Sequence, residues 1–222
     1  MSSLSKKIGK AIKNPKAAVD YLLLKSGHQV DKQGDSFEEW EARAFAAPSP
    51  HFIKQAVLLR NGMDGATWVE TGTYRGSTTS VLSKVAKMVY SIEPEPTLHA
   101  DAEKKFQETP NVKIIRGTSE DVFPELLPGL SGDVCFWLDG HYSGIGTHKG
   151  PLDTPIVKEL DSVAENLPRM GKVVVMVDDI RLFTGEIHAY GAYPTLDYLV
   201  EWAGKNALSW HIEHDIFVAR KR

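Results

Sequence analysis

Cys135 is the only cysteine among the 222 residues of the chain. No disulfide can form within one chain, which excludes a disulfide framework and favours a reducing compartment. Cys135 lies in the apolar run Val134-Cys135-Phe136-Trp137-Leu138, so it reads as an inert core thiol. Long hydrophobic runs are missing too. Runs such as Val173–Val177 and Tyr21–Leu24 fall well short of the roughly 18 residues that cross a bilayer. The N-terminus spreads its lysines along the segment and has no long apolar core, so it does not read as a secretory signal. A net charge of −3 gives no field that would draw the protein to nucleic acid, and no nucleic-acid partner is expected. Repeats and low-complexity tracts are absent. What remains is a cytoplasmic protein by default, one sizeable domain with a small appendage, able to bury a core without staples.

The appendage is residues 1–35. Lys6, Lys7, Lys10, Lys13, Lys16 and Lys25 are interleaved with Leu4, Ile8, Ile12, Val19 and Leu22–Leu24. Leu4, Ile8 and Ile12 recur every four residues and share one helical face. Asn14-Pro15 reads as the cap and first position of a second helix, ended by Gly27. A basic amphipathic arm of this kind suits an anionic membrane surface. It suits packing on the domain or on a second subunit better, since basic amphipathic stretches are common. Asp31–Asp35 reads as a linker.

Residues 36–222 read as one α/β domain. Ser36 with Glu39 forms a capping box that opens a short helix through Phe45. Ser49-Pro50 starts another helix, His51 to Arg60, closed by Asn61-Gly62. Strand and helix patterns then alternate. Strands are expected at Thr67–Glu70, Met88–Ile92, Val112–Arg116, Asp133–Leu138 and Lys172–Val177. Helices are expected at Thr78–Val85, Pro96–Gln107, Ser119–Leu126, Thr154–Asn166 and Pro194–Lys205. Trp210–Glu213 and Ile216–Arg220 read as a closing antiparallel pair. This alternation predicts a doubly wound, mostly parallel Rossmann-like sheet with a C-terminal antiparallel strand and helices on both faces. Ligands should bind at the carboxyl ends of the strands.

Chemistry-bearing residues collect at those ends. Trp68-Val69-Glu70-Thr71-Gly72-Thr73-Tyr74-Arg75-Gly76 is an E-x-G-x-x-x-G run leading into Ser77-Thr78-Thr79. It reads as a strand ending in a tight turn against a nucleotide-like cofactor, with Gly72 and Gly76 letting the backbone approach. The Glu70 carboxylate suits a cationic ligand better than a pyrophosphate. Glu93 ends the second strand, about 20 residues beyond the turn, where an acidic side chain can accept from a ribose diol. Gly117-Thr118-Ser119-Glu120 after the third strand either lines an adenine edge or caps the following helix. The fourth and fifth strands end in Leu138-Asp139-Gly140-His141 and Val177-Asp178-Asp179. Adjacent in the sheet, Asp139, Asp178 and Asp179 would repel one another unless a cation or donors compensate. Oxygen-only ligation suits Mg²⁺ or another hard divalent ion. The alternative is that one or two of the carboxylates turn to helix caps or to Arg181.

These pieces, with Ser91-Ile92-Glu93-Pro94, resemble the class I S-adenosylmethionine-dependent methyltransferases. Within them they resemble the metal-dependent catechol and macrocin-type O-methyltransferases, over about residues 50–220. The resemblance implies that Glu70, Gly72, Thr73, Tyr74, Gly76 and Ser77 hold the methionine portion of S-adenosylmethionine. It implies Glu93 on the ribose, Ser119 and Glu120 at the adenine, Asp139 facing cofactor amine and metal, and Asp178 and Asp179 as ligands. Two positions depart from the catechol branch, which has Asn where this chain has Asp179 and a basic Lys where it has Tyr142. The base is therefore open, and the acceptor need not be a catechol.

A sulfonium donor loses its positive charge as the methyl moves, and a hydroxyl acceptor must lose a proton. His141 is a candidate base because imidazole titrates near neutrality; it can instead orient Asp139 or face solvent. Gly140–Asp153 and Arg181–Tyr193 are expected either to form the pocket for a small hydroxylated acceptor or to be ordered surface loops. Two other readings stand beside this one: a nicotinamide-dependent oxidoreductase, disfavoured because Gly72–Gly76 does not give G-x-G-x-x-G, and a non-catalytic protein held to membranes by its arm.

Overall fold

A computed structural model describes residues 36–140, 154–188 and 191–221. The expected arm at 1–35, His141 with the rest of the loop through Asp153, and Tyr190 lie outside the described residues. The chain divides into two compact units at Arg60/Asn61.

In the first unit, α1 (Phe37–Ala42) opens on the expected capping box. The Glu39 amide donates to Ser36 Oγ at 3.2 Å, and the Ser36 amide donates to Glu39 Oε2 at 2.7 Å. The helix stops before Phe45 because Ala44 and Phe45 turn to left-handed φ of 52° and 62°, which a right-handed helix cannot continue through. Helix α2 (His51–Asn61) follows and runs into the second unit.

The second unit is a seven-stranded sheet in the order β3-β2-β1-β4-β5-β9-β8. Its strands are β1 (Thr67–Thr71), β2 (Met88–Glu93), β3 (Val112–Arg116), β4 (Gly132–Leu138), β5 (Met170–Val177), β8 (Ser209–Glu213) and β9 (Ile216–Lys221). Neighbours through β5 pair in parallel; β9 alone runs opposite, pairing antiparallel with both β5 and β8. Helices α3 (Ser77–Leu82), α4 (Pro96–Phe106), α5 (Ser119–Leu126), α6 (Ile156–Asn166) and α7 (Leu196–Lys205) connect the strands. A two-stranded piece, β6 (Ile187–His188) with β7 (Gly191–Ala192), interrupts the connection read as loop.

The continuous apolar runs of β4 and β5 follow from burial on both faces. Val134, Phe136 and Leu138 join Val69, Val173 and Val175 against Phe123 of α5, Leu160 and Val163 of α6 and Leu199 of α7 in one core. Cys135 and Trp137 alternate to the other side and are buried there. Burial pushes the Cys135 thiol up to about 12, as an unreactive core group requires. Among the described residues, no helix is long and apolar enough to cross a membrane.

Candidate active site

The parallel register brings the ends of β1, β2, β4 and β5 together, with Glu70 opposite Ser91 and Trp137. The chain then turns sharply at Gly72, whose φ is +85°. A Cβ there would lie 2.9 Å from the carbonyl oxygen of Asp139. Only glycine allows this approach of two strand ends. The Gly72 and Thr73 amides both donate to the Ile92 carbonyl, at 3.0 and 3.2 Å. Tyr74 and Gly76 are also left-handed, and Gly76 is the N-cap of α3.

Glu70 is 1% exposed and turns into the interior. Its Oε2 accepts from Ser91 Oγ at 2.6 Å and Thr79 Oγ1 at 2.5 Å. Thr73 Oγ1 joins the same group, 2.6 Å from Ser91 Oγ. Burial raises the Glu70 pKa to about 7 despite those hydroxyls, which favour the charged form. Glu93 is also buried. It accepts from the Tyr74 amide at 2.7 Å on one oxygen and the Glu95 amide at 3.0 Å on the other. Burial raises its pKa, against those two amides. The predicted ribose carboxylate thus also clasps the glycine turn. Ser119 and Glu120 open α5, with Thr118 at the cap position; Ser77 is the first residue of α3.

At the other strand ends, Asp139, Asp178 and Asp179 each offer a carboxylate oxygen, all within 4.8 Å of one another. At an effective dielectric of about 20, two unit charges at that spacing repel by roughly 3 kcal/mol. The Asp139 amide is held by Thr71 Oγ1 at 3.2 Å, and Asp178 Oδ1 accepts from the Asp179 amide at 2.8 Å. Asp179 also meets Arg181, whose Nη1 donates to Oδ1 at 2.6 Å and reaches Asp215 as well. Burial alone would lower the Arg181 pKa, but the hydrogen bond and charge of Asp179, with Asp215, raise it overall. Asp179 thus pairs with Arg181 and still stands beside the other two carboxylates. Three clustered oxygen donors fit a hard divalent ion whose remaining positions are filled by water and substrate.

A small hollow beside the cluster is lined by Leu138, Gly140, Glu159, Val177, Asp178, Phe183 and Tyr193, among others. Tyr193 packs edge-on to Phe183 with ring centroids 5.2 Å apart. Burial, then the charges of Asp179, Asp139 and Asp178, raise the Tyr193 pKa.

Glu159 escaped the sequence reading. It is 2% exposed, and among the described residues no donor lies within hydrogen-bonding reach of its Oε1. Burial raises its pKa to about 7, against the nearby Ser119 and Thr71 hydroxyls. The signal was available: Ile156, Leu160 and Val163 mark the buried face of α6, and Glu159 falls on it.

No family model matches the chain, and no curated protein matches it. Solved structures do. The N-methyltransferase NodS from Bradyrhizobium japonicum WM9 is 14% identical, with 76% of this chain and 93% of that chain covered at a TM-score of 0.51. Precorrin-6y C5,15-methyltransferase from Geobacter metallireducens GS-15 is 16% identical over 86% of this chain and 94% of that chain, at 0.46. Fibrillarin from Aeropyrum pernix, with natively bound S-adenosyl-L-methionine, is 16% identical over 75% and 74%, at 0.46. The likeness to NodS is one of fold: the chain has the Rossmann-like methyltransferase fold, and a substrate does not transfer with it.

Proposed function

We propose that the chain is an S-adenosylmethionine-dependent methyltransferase that methylates a hydroxyl of a small molecule or sugar intermediate with the help of a divalent cation. The observation that carries this reading is the glycine turn clasped by Glu93, standing beside three clustered carboxylates at the same edge of the sheet. When bound, the methyl donor supplies a sulfonium-activated methyl group. Gly72–Gly76 offers close backbone approach for its methionine portion, and Glu93 still has acceptor capacity for ribose hydroxyls. Ser119 and Glu120 stand at the start of α5, where an adenine edge would lie.

Asp139, Asp178 and Asp179 would hold the cation, whose charge favours an ionised acceptor hydroxyl. Thr71 fixes the backbone at Asp139, so the strand ends that would hold donor and ion are locked to each other. That suits a reaction governed by alignment. Leu138, Ile156, Val177 and Phe183 give the hollow apolar surface, and Thr154, Glu159, Asp178 and Tyr193 give it polar groups.

Calorimetry on the intact chain tests the donor assignment. S-adenosylmethionine should bind in the micromolar range and NADH should not; the reverse pattern would replace methyl transfer with hydride transfer. Methyl transfer at full rate in excess chelator would remove the cation from the reading and leave the donor assignment in place.

A further inference from the structure

We propose that Asp215, acting through Arg181, is the positioning residue that presents Asp179 to a divalent cation. The inference rests on the cation reading above and deepens it, because Asp215 belongs to neither strand end that carries the carboxylates.

Asp179 follows β5 with a left-handed φ of 56°, uncommon for a residue with a side chain. The segment after it is fastened from the two-residue turn His214-Asp215 between β8 and β9. The Ile180 amide donates to the Asp215 carbonyl at 3.1 Å. The Arg181 amide donates to Asp215 Oδ1 at 3.0 Å, and Arg181 Nη1 donates to Asp215 Oδ2. Asp215 is 3% exposed. Pairing of Val177 with Phe217 puts its turn beside the end of β5.

Both Asp215 oxygens are thus engaged by Arg181, and Asp215 stands outside the three-carboxylate group. Its work is to fix the guanidinium. The same Nη1 that meets Asp215 also takes Asp179 Oδ1. One oxygen of Asp179 is therefore held toward Arg181, and the side chain is oriented within the cluster rather than free to swing out. Charge balance runs the same way. The Asp215 carboxylate offsets the Arg181 cation, so the guanidinium can orient Asp179 with little repulsion toward an incoming ion. Outer partners of this kind govern metal affinity in general.

The test is Mn²⁺ titration of the full chain, followed by electron paramagnetic resonance, with S-adenosylhomocysteine affinity by calorimetry as a control. Asp215→Asn should weaken Mn²⁺ binding by about ten- to a hundredfold and leave S-adenosylhomocysteine affinity within a few-fold of the parent. The charge-neutral pair Arg181→Gln with Asp215→Asn should stay weak, because the clamp is gone although the charge is balanced. Asp215→Glu keeps the charge and misplaces the guanidinium, so it should fall between. Should Asp215→Asn fail to fold, the Glu variant decides. Parent-like Mn²⁺ affinity in either single variant, or its recovery in the double variant, would overturn the proposal. A parent chain that takes up no Mn²⁺ but binds S-adenosylhomocysteine would remove the cation reading and this inference with it, while leaving the methyl donor untouched.

Discussion

The two halves of the strand-end edge handle their carboxylates in opposite ways. On the β1–β2 side, Glu70 and Glu93 are satisfied by their own chain, through Ser91 and Thr79 for one and the Tyr74 and Glu95 amides for the other. On the β4–β5 side, three carboxylates crowd together, and Arg181, shared with Asp215, pairs with one of them, Asp179. The first half is a glycine turn held by hydrogen bonds to its own strands. The second gathers three carboxylates at one point, the grouping on which the proposed cation site rests. A hydrogen-bonded turn and a carboxylate cluster are different devices, and substitutions separate them.

The largest effect should come from the cradle. In Gly72→Val the new Cβ would press on the Asp139 carbonyl and the backbone would be strained at φ +85°. The combined cost is on the order of 3 kcal/mol, or about a hundredfold in affinity if it falls on the bound state. Calorimetry should find S-adenosylhomocysteine binding lost or reduced to that extent. Retained affinity would mean that the turn is not the donor site.

The next effect concerns the buried acids on either side of the edge, Glu70 and Glu159. Both have pKa values raised by burial from 4.5 to about 7. Between those values the folded chain holds protons that the unfolded chain releases, so stability falls as pH rises from about 4.5 and levels off above about 7. Each group contributes on the order of 3 kcal/mol to that loss. Glu159→Gln cannot ionise, so in urea unfolding it should be more stable than the parent at pH 8 and close to it at pH 4.5. Glu70→Gln keeps an oxygen for Ser91 and Thr79 and should behave alike. Equal stability of parent and variants at pH 8 would show that neither carboxyl is charged at a cost.

Sequence pattern revealed the layers better than the pairings. The runs Val134–Leu138 and Val173–Val177 announced buried parallel strands, and the acidic residues just beyond them fell at the carboxyl edge, because a strand's direction fixes which end it presents. Periodicity does not say which way a strand-end side chain turns. Glu70 was legible as a strand-end acid, but its contacts with Ser91 and Thr79 depend on the register of β1 with β2 and on the seating of α3. Glu159 was hidden in an amphipathic helix, where one acid on the apolar face looks like an imperfection in the pattern. Asp215 looked like an ordinary hairpin turn residue. Its partnership with Arg181 arises only when β9 folds back antiparallel against β5. The β6–β7 pair was too short to leave a period.

The smallest effect tests whether the cradle owes its shape to buried groups alone. Lys105, near the end of α4, donates from Nζ to the carbonyls of Arg75 at 2.7 Å and Gly76 at 3.0 Å. It therefore ties the glycine turn from outside, but the residue is exposed. On its removal, water can take over both carbonyls, and a solvent-facing hydrogen bond is worth about 1 kcal/mol or less. Lys105→Met should keep S-adenosylhomocysteine affinity within about fivefold of the parent, because the Gly72 and Thr73 amides remain on Ile92 and the Tyr74 amide on Glu93. A loss as large as that of Gly72→Val would place the organisation of the turn at the surface, and the contrast between a self-satisfied cradle and a charge-heavy neighbour would no longer hold.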